Sequence, residues 1–104
     1  MGLMGLSMYK LFLLLKFKKL GCANNCLEKV NLKVEFENME FLDFSSNEIT
    51  EINRFGEFFP NLFSLDISKN SICLDDELGF IYELDSLCEI DFSDNPVCTD
   101  EFMQ

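Results

Sequence analysis

The sequence predicts an α/β fold in which four tandem repeats stack into a solenoid. One observation is an apolar pattern that recurs along the chain, with Leu62, Leu65, Ile67 and Ile72 in its third copy. A second is an asparagine at a fixed place in every copy, which is Asn70 in the third. The copies lie 22, 23 and 25 residues apart and begin at Phe17, Met39, Leu62 and Leu87. Recurrence at this period is typical of repeats that cannot bury an apolar face alone and therefore stack.

Each repeat is predicted to begin with a short strand, because apolar and polar residues alternate there. Successive strands would pair in parallel and form one sheet on the concave side of the solenoid. The side chains expected to point into the core are the pairs Leu20/Cys22, Leu42/Phe44, Leu65/Ile67 and Ile90/Phe92. Cysteine suits position 22 because a free thiol behaves as a small buried hydrophobe.

After its asparagine, each repeat returns along the convex side with apolar residues at a spacing close to three. In the second repeat these residues are Ile49, Ile52, Phe55 and Phe58; the first has Leu27, Val30 and Phe36, and the third has Ile72, Leu78, Ile81 and Leu84. This spacing predicts 3₁₀ or short helical segments, in which positions i and i+3 stack. The third return is longer and carries three acids at residues 75–77. We therefore expect a more regular helix there, whose dipole these acids complement.

The ends of the chain are interpreted as caps on the repeat region, residues 17–98. Residues 1–16 continue the apolar rhythm and are predicted to form a helical N-terminal cap, and residues 99–104 a short C-terminal cap. Lysines interrupt the apolar residues near the start, which argues against a signal peptide. A membrane-spanning helix needs about 20 largely uncharged apolar residues, so no membrane partner is expected.

Residues 17–98 resemble the leucine-rich repeat, L-x-x-L-x-L-x-x-N-x-L, in its short class of about 22 residues per repeat. Residues 59–70 resemble the P-N-L-x-x-L-x-L-S-x-N segment of the acidic nuclear phosphoproteins. The triplet Asn95-Pro96-Val97 resembles the start of the C-terminal cap of the spliceosomal A-prime protein, although the Tyr-Arg of that cap is missing here. The resemblance implies a non-enzymatic scaffold that binds other proteins, in some cases within a ribonucleoprotein particle.

The charge is strongly uneven along the chain. Residues 1–34 hold six lysines and one acid, whereas residues 35–104 hold eighteen acids against Arg54 and Lys69. The second part therefore repels polyanions and attracts basic partners. The five cysteines are odd in number and lack the paired spacing of a zinc site, which indicates reduced thiols in an intracellular protein, cytoplasmic or nuclear.

Catalysis has no support in the sequence. There is no histidine to act as a base, and no phosphate-binding loop, nucleophile motif or metal-ligand set is present. We therefore expect no enzyme activity, no cofactor, no metal and no small-molecule substrate.

The recurring asparagines are predicted to form a structural ladder. An amide side chain carries both donors and an acceptor, so it can satisfy the backbone groups that a tight turn leaves unpaired. The members of this ladder are Asn25, Asn47, Asn70 and Asn95.

The outward positions of the strands are the candidate protein-binding site. Three aspartates would form a column across the sheet, with a serine two residues after each. One interpretation is a merely solvated face; the other is an acidic groove for a basic protein or peptide, since stacked like charges are unfavourable alone. Phe41 and Phe63 are either interface anchors or contacts to a neighbouring repeat. The candidate binding residues are Phe41, Asp43, Phe63, Ser64, Asp66, Glu89 and Asp91.

Lys16, Lys18 and Lys19 form a small basic patch that either solubilises an apolar segment or contacts phosphate. The first functional hypothesis is a protein-binding scaffold that uses its acidic concave face. The alternative is a structural subunit of a ribonucleoprotein particle, spliceosomal or ribosomal. In that case the basic N-terminus would lie near RNA and the acidic body against basic proteins.

Overall fold

A computed structural model of the chain describes residues 16–28, 30, 35–73 and 75–98. Four three-residue strands form one sheet: β1 (Lys19–Gly21), β2 (Phe41–Asp43), β3 (Ser64–Asp66) and β4 (Glu89–Asp91). The strands are ordered as in the sequence, and every neighbouring pair is parallel. This arrangement confirms the predicted solenoid. The two predicted caps lie outside the described residues, apart from Lys16.

The register of the sheet follows the predicted repeat frame. The central residues of the strands, Leu20, Leu42, Leu65 and Ile90, lie opposite one another. Leu42 and Leu65 are buried, whereas Leu20 and Ile90 are half-buried, since within the described ranges each outer strand has a neighbouring strand on one side only. Phe17 is 51% exposed for the same reason, although the equivalent Met39 and Leu62 of the inner repeats are fully buried.

The convex side contains short helical segments, as the spacing predicts. Helix α1 (Phe55–Phe58) is a single α-helical turn, and 3₁₀ helices cover Asp75–Glu83 and Pro96–Cys98. We call the second of these three segments, Asp75–Glu83, the long 3₁₀ helix. Ile49, Ile52, Phe55 and Phe58 are all buried.

The core is centred on phenylalanine rings that join the first and second repeats. The Phe55 ring lies 5.7 Å from Phe44 and 5.5 Å from Phe59, both edge-on, and Phe59 stacks on Phe36 at 5.6 Å between centroids. All four rings are almost inaccessible. Edge-to-face and offset contacts of this kind contribute beyond the buried area itself.

The third return, for which a more regular helix is expected, forms the long 3₁₀ helix. Its apolar residues are three positions apart, and a 3₁₀ helix aligns such residues on one edge. Leu78 is buried there and Ile81 is half-buried, and Leu84, which directly follows the helix, is also buried. Phe80 is buried as well, 5.9 Å from the Phe55 ring, although the three-residue rhythm does not include it.

Each strand is followed by a turn with a left-handed residue just before its ladder asparagine, and the first turn has a second such residue, Cys26, with φ of 56°. The residues that immediately precede the ladder asparagines have φ between 57° and 61°; they are Asn24, Ser46, Lys69 and Asp94. Asparagine and aspartate tolerate this conformation best among residues other than glycine. The two inner repeats therefore carry the less suitable residues, serine and lysine, at this position.

Candidate functional site on the concave face

In the predicted asparagine ladder, the side chains of Asn47, Asn70 and Asn95 each bond two repeats at once. Nδ2 of Asn47 donates to the carbonyl of Phe44 in its own repeat (2.9 Å) and of Cys22 in the preceding one (3.0 Å). Its Oδ1 accepts from the backbone N–H groups of Asn25 and Leu27, both at 2.9 Å. Asn47 is buried, so the amide satisfies backbone groups that water does not reach.

Asn70 repeats this arrangement one repeat later. Its Nδ2 donates to Phe44 O at 3.0 Å, and its Oδ1 accepts from Ile49 N at 3.0 Å. Asn95 makes the same pair of contacts with Ile67 O (2.9 Å) and Ile72 N (3.1 Å). These side chains hold successive turns in register, which aligns the strands that they follow.

Asn25 is placed differently from the other three asparagines. It is exposed, and its Nδ2 donates to Ala23 O at 3.2 Å within the same turn. It belongs to the first turn of the described stack, and its backbone N–H donates to Oδ1 of Asn47 in the following repeat.

The outward aspartates form a column, as their sequence positions predict. Gly21, Asp43, Asp66 and Asp91 lie opposite one another on the four strands. Adjacent strands in a sheet are about 4.8 Å apart, so the carboxylates of neighbouring strands are close. The column therefore holds three acids and begins with a residue that has no side chain.

Each of these carboxylates is oriented by the serine two positions later. Oδ1 of Asp43 accepts from the hydroxyl of Ser45 at 2.6 Å and from its N–H at 2.9 Å. Asp66 makes the same bonds to Ser68 at 2.7 and 3.0 Å. Asp91 bonds Ser93 at 2.6 and 3.0 Å. The aspartates thus stabilise their own turns through Oδ1, while Oδ2 accepts no hydrogen bond from the described residues.

The hydroxyl and the N–H of Ser93 hold the pKa of Asp91 below its ordinary value, because both stabilise the charged carboxylate. A slight desolvation opposes this shift, and the ammonium of Lys69 adds to it. Asp91 is therefore ionised at neutral pH.

Phe41 and Phe63 pack against each other on this face, with ring centroids 5.6 Å apart. The contact joins the second repeat to the third. Each ring therefore packs on a neighbouring repeat, which is one of the two roles that the sequence allows for them. Phe63 is still 37% exposed and Phe41 is half-buried. The two rings are both mutually packed and accessible, which suits an anchor in an interface.

A groove of about 310 Å³ lies across β1, β2 and β3. It is lined by Lys19, Leu20, Gly21, Phe41, Leu42, Asp43, Ser64 and Asp66. Four candidate binding residues therefore share one depression, namely Phe41, Asp43, Ser64 and Asp66. Glu89 and Asp91 extend the outward rows onto β4 but do not line the groove.

Gly21 lines the groove although the set of candidate residues does not include it. A Cβ atom added there would meet nothing within 4 Å. The signal for it is present in the sequence, since Gly21 occupies the position at which the next three repeats have aspartate. Glycine carries neither a charge nor a ring, so its residue type alone does not mark it as part of a binding site.

The basic patch lies at the start of the described stack, and all three of its lysines are exposed. Lys19 belongs to the groove, where its Nζ lies 5.1 Å from the centroid of the Phe41 ring. Lys18 contributes its backbone carbonyl, which accepts from Glu40 N at 2.8 Å and Phe41 N at 2.9 Å. The side chains of Lys16 and Lys18 do not line the groove.

Within the described ranges, no helix is long and apolar enough to cross a bilayer. The same part of the chain contains no group of three or more histidine, cysteine or acidic residues that could hold a metal ion.

Neither family models nor curated proteins match this chain. Eight chains of solved structures are similar to it. One belongs to the crystal structure of the Drosophila melanogaster SNF/U2A' complex, with a TM-score of 0.76 and 24% identity. The match covers 86% of this chain and 52% of that one, so this chain spans about half the length of its relative. The chain has the leucine-rich-repeat fold, and its resemblance to the spliceosomal A-prime protein holds at the level of that fold.

Proposed function

We propose that this chain is a non-enzymatic protein-binding scaffold that holds a basic partner segment against its concave face. The observation that carries the proposal is the groove itself. It brings Asp43 and Asp66 of adjacent strands together with the accessible ring of Phe41. Acids beside an aromatic ring provide both charge complementarity and apolar contact area for a cationic segment.

The charge of the chain supports a basic partner. Eighteen acids against two basic residues in positions 35–104 create a negative field that accelerates the approach of cationic surfaces. Neighbouring carboxylates on paired strands repel each other, and a cation placed between them relieves that repulsion. Glu89 and Asp91 continue the acidic rows on β4, so a partner segment longer than the groove meets further acids there.

The aromatic pair supports a protein partner rather than diffuse ionic attraction. Phe63 lies beside the groove and packs on Phe41, so the two rings present one continuous apolar surface. Exposed aromatic side chains with a packed neighbour are typical anchors of interfaces, because they lose little conformational entropy on binding. Ser64, which lies opposite Phe41 on the next strand, adds a hydroxyl to the lining of the groove.

The test is to neutralise the two acids without disturbing their turns. Asparagine keeps the Oδ1 acceptor that each serine needs, so Asp43→Asn with Asp66→Asn removes charge and preserves the fold. A partner purified with the chain from native cells and identified by mass spectrometry should bind this double variant at least tenfold more weakly. The matched control is Glu48→Gln with Asp85→Asn, which removes the same charge from exposed residues outside the groove. Equal affinities of the two double variants would refute the acidic concave face as the binding site.

A second candidate function is that of a structural subunit in a ribonucleoprotein particle. Two observations favour it: the relative was solved as a complex of SNF with U2A', and this chain carries exposed Lys16, Lys18 and Lys19 next to its acidic face. Sedimentation of native extracts, with and without nuclease, distinguishes the two functions. Release of the chain from a large particle by nuclease supports the subunit, and migration as a small species in both samples excludes it.

A further inference from the structure

The groove already contains a cation that belongs to the chain itself. The Nζ atom of Lys19 lies over the Phe41 ring at 5.1 Å from its centroid. This contact shows that the aromatic wall of the groove is placed to receive positive charge. The Lys19 side chain is exposed, so the contact is weak and easily displaced.

An open space adjoins this ring. On β1 the outward position next to Asp43 is Gly21, which contributes no side chain. Nothing lies within 4 Å of the place that its Cβ would occupy. The space is therefore the β1 end of the row that continues with Asp43 and Asp66, and the outward row of Lys19 and Phe41 lies two residues away along the strands.

The carboxylates that continue this row, Asp43 next to the space and Asp66 one strand further, are oriented and have an oxygen available. Ser45 and Ser68 occupy Oδ1 of Asp43 and of Asp66, respectively, through their hydroxyl and N–H groups. Oδ2 of each aspartate accepts no hydrogen bond from the described residues. A planar group with several N–H donors can lie on a ring and reach such oxygens at once, and guanidinium is the side-chain group that does both.

We propose that this space binds the guanidinium group of an arginine in the partner, and that the arginine displaces Lys19 from the Phe41 ring. The proposal rests on the function proposed above and specifies the group that the concave face recognises. Lys19 then acts as a weak internal competitor that keeps the ring covered by a cation in the absence of the partner.

The probe is the peptide acetyl-Gly-Arg-Gly-amide, compared with the same peptide in which citrulline or lysine replaces arginine. Citrulline has the shape of arginine without its charge. In titrations of the ¹⁵N-labelled full chain, the amide signals of Gly21, Phe41 and Asp43 should shift with the arginine peptide and remain unchanged with the citrulline peptide. The lysine peptide should bind more weakly, because an ammonium group cannot stack on the ring and donate two parallel hydrogen bonds to a carboxylate at the same time. Equal shifts with all three peptides, or none with arginine, would overturn the proposal.

Gly21→Leu fills the space, and Gly79→Leu is its matched control. Gly79 lies on the long 3₁₀ helix, and a Cβ there also meets nothing within 4 Å. Gly21→Leu should weaken the arginine peptide at least tenfold, whereas Gly79→Leu should leave its affinity unchanged. If Gly21→Leu fails to fold, Phe41→Leu replaces it and should abolish the preference for arginine over lysine. Retention of full affinity by Gly21→Leu, or of the preference by Phe41→Leu, contradicts the assigned position.

Lys19→Gln tests the displacement separately. Removal of the internal cation should raise the affinity for the arginine peptide about two- to fivefold. A lower affinity would show that Lys19 assists binding, and the displacement would be wrong.

Binding of the native partner to two variants distinguishes a failure of the arginine site from a failure of the function on which it rests. If Asp43→Asn with Asp66→Asn loses the partner and Gly21→Leu keeps it, the concave face binds the partner and the arginine site fails. If both variants keep the partner, the proposed function fails as well.

Discussion

Glu77 accepts a hydrogen bond from the backbone N–H of Ile52 at 2.7 Å, although 25 positions separate the two residues. The same Oε1 atom accepts from Asn53 N at 3.0 Å. Both Glu77 and Ile52 are buried. An acid of the long 3₁₀ helix thus accepts from two backbone N–H groups in the turn that precedes α1. These bonds link the third repeat to the second.

The Glu77 contact predicts a large loss of stability in Glu77→Ala. The substitution leaves two N–H groups without their acceptor, which should lower the free energy of unfolding by about 2–3 kcal/mol. Glu83→Ala, at the exposed end of the same helix, should change it by less than about 0.5 kcal/mol. Urea denaturation of both variants measures the difference. Glu77→Gln, which keeps an acceptor, should fall between them, and equal losses in all three would disprove the role of this carboxylate.

The asparagines predict a contrast between Asn70 and Asn25. Asn70→Ala removes an amide that bonds two repeats in a buried position, so the free energy of unfolding should fall by about 2–3 kcal/mol. Asn25→Ala removes one exposed bond within a turn and should cost less than about 0.5 kcal/mol. Thermal and urea denaturation provide the measurement. Equal costs for the two variants would contradict the ladder as the structure defines it.

The left-handed turn residues offer a stabilising substitution. Ser46 has φ of 57°, a conformation that asparagine adopts more readily and that Asn24 occupies in the first repeat. Ser46→Asn should therefore raise the free energy of unfolding by about 0.5 kcal/mol. Ser71→Asn, at a position outside the left-handed set, should not raise it. A gain in both variants would assign the effect to asparagine in general rather than to the turn.

The Asp91–Ser93 bonds predict a pH dependence. Because the pKa of Asp91 is lowered in the folded chain, its ionised form stabilises the fold at neutral pH. That contribution is lost as the pH falls through the folded pKa. Side-chain NMR titration should place the Asp91 midpoint below that of an unfolded aspartate, and Ser93→Ala should raise it. An unchanged midpoint in Ser93→Ala would show that the hydroxyl does not cause the shift.

The cysteines should differ in reactivity. Burial, reinforced by the charge of Asp43, raises the pKa of the Cys22 thiol, so little reactive thiolate forms there. Cys26, Cys73 and Cys88 are free and exposed. Alkylation at pH 8, followed by mass spectrometry of peptides, should modify these three first and Cys22 only after denaturant is added. Rapid alkylation of native Cys22 would contradict its buried position.

Much of the fold follows from the sequence, because the apolar positions of a solenoid recur once in every repeat and are buried when the repeats stack. Leu42, Phe44, Leu65 and Ile67 had to point inward, since no other arrangement buries their alternating pattern in a stack. Phe80 shows the limit of that reasoning. It lies two residues after Leu78, outside the three-residue rhythm of this helical segment, and its contact with the Phe55 ring of the preceding repeat explains its burial.

The sequence by itself determined the number of strands, the inward residues, the alignment of Asp43, Asp66 and Asp91 and the positions of the asparagines. These features recur in every repeat, and stacking the repeats is the one arrangement that buries their apolar residues. Only the tertiary structure decided that Glu77 satisfies Ile52, that Lys19 lies over Phe41 and that Gly21 opens a space beside Asp43. These relationships join side chains of different repeats, and their distances depend on how intervals of unequal length pack together.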